Sequence, residues 1–164
     1  MKMFKTSALS VLVLAAMSLG TFQTQQAMAQ TGVTPVGIAP DIRHNLAERI
    51  LQRCAHRIKR LAVACADSNA AISNRCVNVI RMLLANGQDV LARRVARFCL
   101  QLVNSRTDRC IRAIQTLCRR CHLAMAAAGA TQAQLLDLRM LCARAIDHVE
   151  ASRQNCIDDI RSLF

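Results

Sequence analysis

The sequence contains no Trp and no Tyr, and its four Phe hold aromatics to 2% of the chain. Sandwich and barrel cores draw on aromatic and β-branched side chains, so this shortage argues against an all-β protein. Glycine and proline are also scarce, at five and two residues, which leaves few places to break a helix. Long apolar runs are missing: the longest, Ala8 to Leu19, has 12 residues, short of the ~20 that span a bilayer. Catalytic signatures are absent too. There is no nucleophile elbow, no Gly-rich phosphate loop, no HExxH and no pair of carboxylates on an apolar stripe, so the expectation is a protein that is not an enzyme. Leu, Ala and Arg, all good helix formers, dominate what remains.

The N-terminus reads as a secretory signal. Lys2 and Lys5 precede the apolar run, and Ala27-Met28-Ala29 is a small-x-small cleavage site, the arrangement of a signal peptide covering 1–29. With no twin arginine and no Cys beside the site, Sec-type export with cleavage after Ala29 is expected. The mature chain is then secreted or periplasmic. Residues 30–40, with Gly32, Pro35, Gly37 and Pro40, read as a flexible leader, and 41–164 as one helical domain. No membrane segment is expected after processing, because the longest uncharged stretch, Cys121 to Leu136, is interrupted by Gly129 and by Thr and Gln residues.

Nine Cys, at 54, 65, 76, 99, 110, 118, 121, 142 and 156, imply disulfides in an exported chain. Two triads share one spacing: Cys54, Cys65 and Cys76 are 11 apart, as are Cys99, Cys110 and Cys121. Eleven residues turn an α-helix about 20° past three full turns, so each triad lies along one face. Members of a triad stand about 16 Å apart, too far to bond each other. Each therefore needs a partner on another helix. Between Asp41 and Asn86 there is neither Gly nor Pro, and Asn86-Gly87 is a helix stop. A hairpin centred there sets Cys76 against Cys99, Cys65 against Cys110 and Cys54 against Cys121. It also mirrors the apolar positions, Ile58 with Leu117, Leu61 with Ile114, Ile72 with Val103 and Ile80 with Val95, and sets Asn69 against Arg106.

Gly129-Ala130-Thr131 is the next turn signal, with Thr131 as N-cap. Cys118 and Cys142 are equidistant from it, and Leu135, Leu138, Cys142, Ile146, Val149, Cys156 and Ile160 form a helical stripe beyond it. The fold expected is an all-α antiparallel bundle of three long helices stapled by disulfides. A second topology also fits. If Asp67-Ser68-Asn69, Asn104 to Asp108 and Ala151 to Asn155 are turns, three short Cys-linked hairpins result, with bridges Cys65–Cys76, Cys99–Cys110 and Cys142–Cys156. In general design the chain resembles small helical hairpins with twin CxnC motifs, whose facing helices carry two disulfides. Here ten residues separate the Cys where those have nine, and there are three rungs; the likeness is one of architecture.

The long bundle leaves Cys156 unpaired. Its place on an apolar stripe suits burial, while its nearness to the C-terminus suits a disulfide-linked homodimer. Cys118-Arg119-Arg120-Cys121-His122 matches CxxCH, the attachment sequence of haem c, so a c-type haem protein is the alternative function. A Cys-lined metal-binding bundle is another. The leading expectation follows charge. The chain carries 22 basic and 10 acidic residues, a net +12, of which Lys2 and Lys5 leave with the leader. All the mature basic residues but Lys59 are Arg, which binds carboxylate and phosphate in bidentate fashion. Arg49, Arg53, Arg57 and Arg60 follow one another along helix one. In the bundle they share an end with Arg112, Arg119, Arg120, Arg139 and Arg144, against the acids Asp41, Glu48, Asp137 and Asp147. Arg49, Arg53, Arg57, Arg60, Arg112, Arg119 and Arg120 are thus the candidate anion-binding residues, for an anionic surface or polymer.

Overall fold

The computed structural model describes residues 40–164, with side chains from Asn45 onward. The sequence-predicted signal peptide and the leader up to residue 39 lie outside the described residues. Three helices follow one another: α1 (Pro40–Ala85), α2 (Asp89–Ala127) and α3 (Gln132–Arg161). All three pairs of helices pack together, giving the up-down-up bundle. Asp67, Asn104 and Ala151 all lie inside continuous helix, so the short-hairpin topology does not occur.

The helix ends are written locally. Pro40 begins α1, where its fixed φ suits the first turn and its missing N–H costs nothing. Gly87, at φ 68°, ends it: its N–H donates to the Leu84 carbonyl and the Gln88 N–H to that of Leu83, a Schellman arrangement that requires a left-handed residue. The same pattern recurs at Gly129 (φ 76°), where Gly129 N–H meets Ala126 O and Ala130 N–H meets Met125 O. Thr131 then caps α3. Its hydroxyl accepts from the Gln134 N–H, and the Gln134 side chain accepts from the Thr131 N–H, so two of the orphan donors of that helix start are satisfied.

Four disulfides tie the helices: Cys54–Cys121, Cys65–Cys110 and Cys76–Cys99 between α1 and α2, and Cys118–Cys142 between α2 and α3. The Cα–Cα distances, 6.0, 6.0, 6.1 and 6.2 Å, fall in the range normal for a disulfide. The uniform distance along α1 and α2 reflects two near-parallel axes on which the 11-residue repeat drifts equally. No bridge joins α1 to α3.

The core has two apolar clusters. One, around Ile58, Ile114, Met125, Leu138 and Val149, fills the end near Cys54; the other, around Ile80, Ala92, Cys99 and Ile160, fills the end near the α1–α2 turn. Between them lies a buried polar level of Asn69, Ser73 and Thr107. Here the structure corrects one expectation. Asn69 is opposed by Thr107 and not by Arg106: its Nδ2 donates to Thr107 Oγ1 at 2.9 Å, while Arg106 is exposed. After Val103 the stripe of α2 steps four residues to Thr107 and then three to Cys110. A hydroxyl there needs one partner, whereas an Arg would carry a charge into the core with no acid to meet it.

Candidate functional site

The sequence-predicted cations fall into two groups. On α1, Arg49, Arg53, His56 and Arg57 together line one shallow groove, and His56, Lys59, Arg60 and Asp67 line the adjoining one. The steps of three and four residues put these side chains along one side of α1, with Arg57, three residues after Cys54, nearest α2. All of Arg49, Arg53, Arg57 and Arg60 are exposed. The α2 group is not joined to it in the same way. Arg112, Arg119 and Arg120 are exposed but line neither groove. Cys121 marks the side of α2 facing α1, and about 100° per residue turns Arg120 some 100° from it and Arg112 and Arg119 to nearly the opposite side. The four α1 arginines form a continuous strip, and of the α2 candidates only Arg120 borders the same side of the bundle.

The electrostatics of the strip are those of unneutralised charge. Among the described residues the ion pairs all belong to Arg153, which meets Asp108 at 3.7 Å and Glu150 three residues before it. Glu48, the acid nearest the strip in sequence, engages amides: Oε1 accepts from Gln52 at 3.2 Å and Oε2 from Gln134 of α3 at 3.5 Å. The α1 guanidinium groups thus retain their full donor sets for a ligand.

The cysteines serve the scaffold. Cys118 is bonded to Cys142 and Cys121 to Cys54, so neither thiol of the CxxCH segment is free to add to a haem vinyl group. Met125, the thioether four residues beyond Cys121, is wholly buried in the core. The segment does not fit haem c. Eight of the nine Cys are likewise in bridges, which removes the thiolates that a Cu(I) or zinc bundle would use. Among the described residues no three His, Cys, Asp or Glu side chains converge to hold a metal. Cys156 is the free cysteine and is buried, 3% exposed. Burial pushes its thiol up from the ordinary range, and Asp159 adds to this; the neighbouring Ser73 and Ser152 hydroxyls act the other way. A raised thiol pKa leaves little thiolate near neutrality, and so an inert side chain.

Sequence reasoning passed over a hollow between α1 and α3. Ile58, Ala62 and Val63 of α1 and Leu141 and Ala145 of α3 line it, with Lys59, Arg144 and His148 completing the wall. Its volume is about 420 Å³. The signal for it was present in Ala62 and Ala145, small residues at stripe positions where larger ones would close the seam. No helix among the described residues is long and apolar enough to cross a membrane. In comparisons with known proteins, no family model matches the chain, and neither does a curated protein or a solved structure.

Proposed function

We propose that this chain works outside the cytoplasm as a disulfide-stapled helical scaffold that binds an anionic polymer or surface, without catalysis, along the exposed arginine strip of α1. The observation that carries this reading is the strip itself: Arg49, Arg53, Arg57 and Arg60 are exposed, adjacent and free of carboxylate partners. Unpaired cations at this density repel one another, and a partner bearing regularly spaced phosphate, sulfate or carboxylate groups relieves that repulsion. Four bridges support the compartment, since disulfides persist in oxidising surroundings. They also hold the strip rigid, so little ordering entropy is lost on binding. Bases are poor candidates for stacking, because the strip has no aromatic side chain interleaved.

The test is retention on a sulfated matrix under a salt gradient. Replacing Arg49, Arg53, Arg57 and Arg60 with Gln should bring elution to distinctly lower salt than replacing Arg81, Arg93, Arg94 and Arg97, which removes the same charge from the other end of the bundle. Equal shifts would mean that net charge alone governs retention, and would refute a site on α1.

A further inference from the structure

The hollow between α1 and α3 lies on the one helix pair that no disulfide closes. Three bridges bind α1 to α2 and one binds α2 to α3, whereas α1 and α3 meet through packing and three polar contacts: Gln134 to Glu48, Ser152 Oγ to the Ala66 carbonyl at 3.3 Å, and Ser73 Oγ to the Cys156 carbonyl at 3.5 Å. This seam can therefore widen without breaking a covalent bond. Its hollow has two chemical parts. Ile58, Ala62, Leu141 and Ala145 supply an apolar floor, with Val63, 43% exposed, at the mouth. Lys59 stands on the α1 wall, Arg144 and His148 on the α3 wall, and no acid lines the space. Helices α1 and α3 run parallel with an offset of about 85 residues, as Glu48–Gln134 and Ala66–Ser152 show. That offset puts Lys59 and Arg144 at one level, facing across the seam. Beyond His148 the seam turns polar and acidic, with Asp67, Asn74 and Asp159 around a second hollow, which would repel an anion and favours the Lys59–Arg144 end for a negative head group.

From this geometry we infer that the α1–α3 seam is a binding site for a single-chain anionic amphiphile: an aliphatic carboxylate whose head is held between Lys59 and Arg144, and whose chain lies on Ile58, Ala62, Leu141 and Ala145. The volume is within the usual range of small-molecule sites, roughly 300–1,000 Å³. An apolar hollow rimmed by cations matches a ligand that is apolar over most of its length and negative at one end. The site uses none of the four strip arginines, so it stands or falls separately from the polyanion reading.

Calorimetric titration of the purified, fully disulfide-bonded protein with straight-chain carboxylates of 6 to 12 carbons, kept below their micelle concentrations, tests this. One carboxylate should bind per chain, with affinity rising about fourfold for each added methylene until the groove is full. Ala145→Leu, which fills the floor, should remove binding. Because that residue is buried, Val63→Asp provides a variant at an exposed position; it sets a negative charge at the mouth and should weaken the carboxylate more than tenfold. Lys59→Gln with Arg144→Gln should weaken the carboxylate while leaving an alkanol of equal chain length bound as before. Affinity independent of chain length, or carboxylate binding unchanged in Val63→Asp, would overturn the inference. Retention on the sulfated matrix separates the two proposals: an unsubstituted protein that is retained but binds no carboxylate defeats the seam site and leaves the strip intact, and Ala145→Leu should lose the carboxylate with retention unchanged.

Discussion

The outermost rung, Cys54–Cys121, offers a quantitative check on the ladder. Suppose both residues are replaced by Ala while the other three bridges remain. Taken alone, the bridge spans 67 residues, and the chain-entropy relation for such a loop gives about 4.4 kcal/mol of stabilisation. The rung is not alone, however. Cys65–Cys110 has already closed the inner 45 residues, so the outer bridge closes only the remaining 22, eleven on each helix. For a loop of that size the same relation gives about 3.4 kcal/mol. Removing both rungs should then cost about 6.8 kcal/mol, against about 8.4 if each closed its full span independently. Guanidinium unfolding followed by far-ultraviolet circular dichroism measures the change, with the effect of the same two substitutions on the fully reduced protein subtracted to remove the packing lost at the buried Cys54 and Cys121 positions. A corrected loss at or above 4.4 kcal/mol for the outer rung would mean that the inner rung does not pre-close the loop. A loss below about 1 kcal/mol would mean that the rung does not constrain the unfolded chain. Either result would refute the nested ladder.

Other consequences are as direct. Thr107→Val strands the buried Asn69 amide, whose Oδ1 already lacks a partner, and should cost about 1–3 kcal/mol in chemical denaturation, whereas the pair Asn69→Leu with Thr107→Val should be near neutral or stabilising. The Cys156 thiol should resist a thiol reagent in the folded protein and react fully in denaturant, and non-reducing electrophoresis should show a monomer, since a dimer bond requires the last turns of α3 to open. Because burial raises the thiol pKa, the unfolded chain releases that proton at lower pH than the folded one. Its contribution is therefore complete below the unfolded pKa and declines as pH rises above it towards the folded value; Cys156→Ala should flatten this alkaline decline.

Much of the architecture was legible because it is repeated. Cys at intervals of 11 can serve two facing helices only if both are long and straight, and Asn86-Gly87 supplied the one centre about which the triads mirror. Gly129 and Thr131 marked the second turn by conformational need, not by statistics, since a left-handed residue and an N-cap oxygen are what those positions require. The pairing at Asn69 was misread because three turns can be walked as steps of four, three and four or of four, four and three. Both paths keep the apolar face, and only the energetics of burying Arg106 against Thr107 separate them. The seam hollow was hidden for a different reason. Its floor is defined by the side-chain volume missing at Ala62 and Ala145, and the effect of small residues depends on what the facing helix brings to the same level. The strip of α1 was readable from helical spacing within one element; the relation of Arg112, Arg119 and Arg120 to it depended on rotation about α2, which Cys121 and its partner on α1 fix.

The most direct test of the arginine strip is the salt dependence of binding to a double-stranded DNA fragment, used as a polyanion of known charge spacing. For B-form DNA the slope of log K against log salt is about −0.9 for each phosphate neutralised, independent of sequence. If Arg49, Arg53, Arg57 and Arg60 each meet a phosphate, replacing all four with Gln should make the slope shallower by about 3 to 4. Replacing Arg81, Arg93, Arg94 and Arg97 should change it by less than about 1. Equal changes from the two sets, or a larger one from the second, would contradict the account.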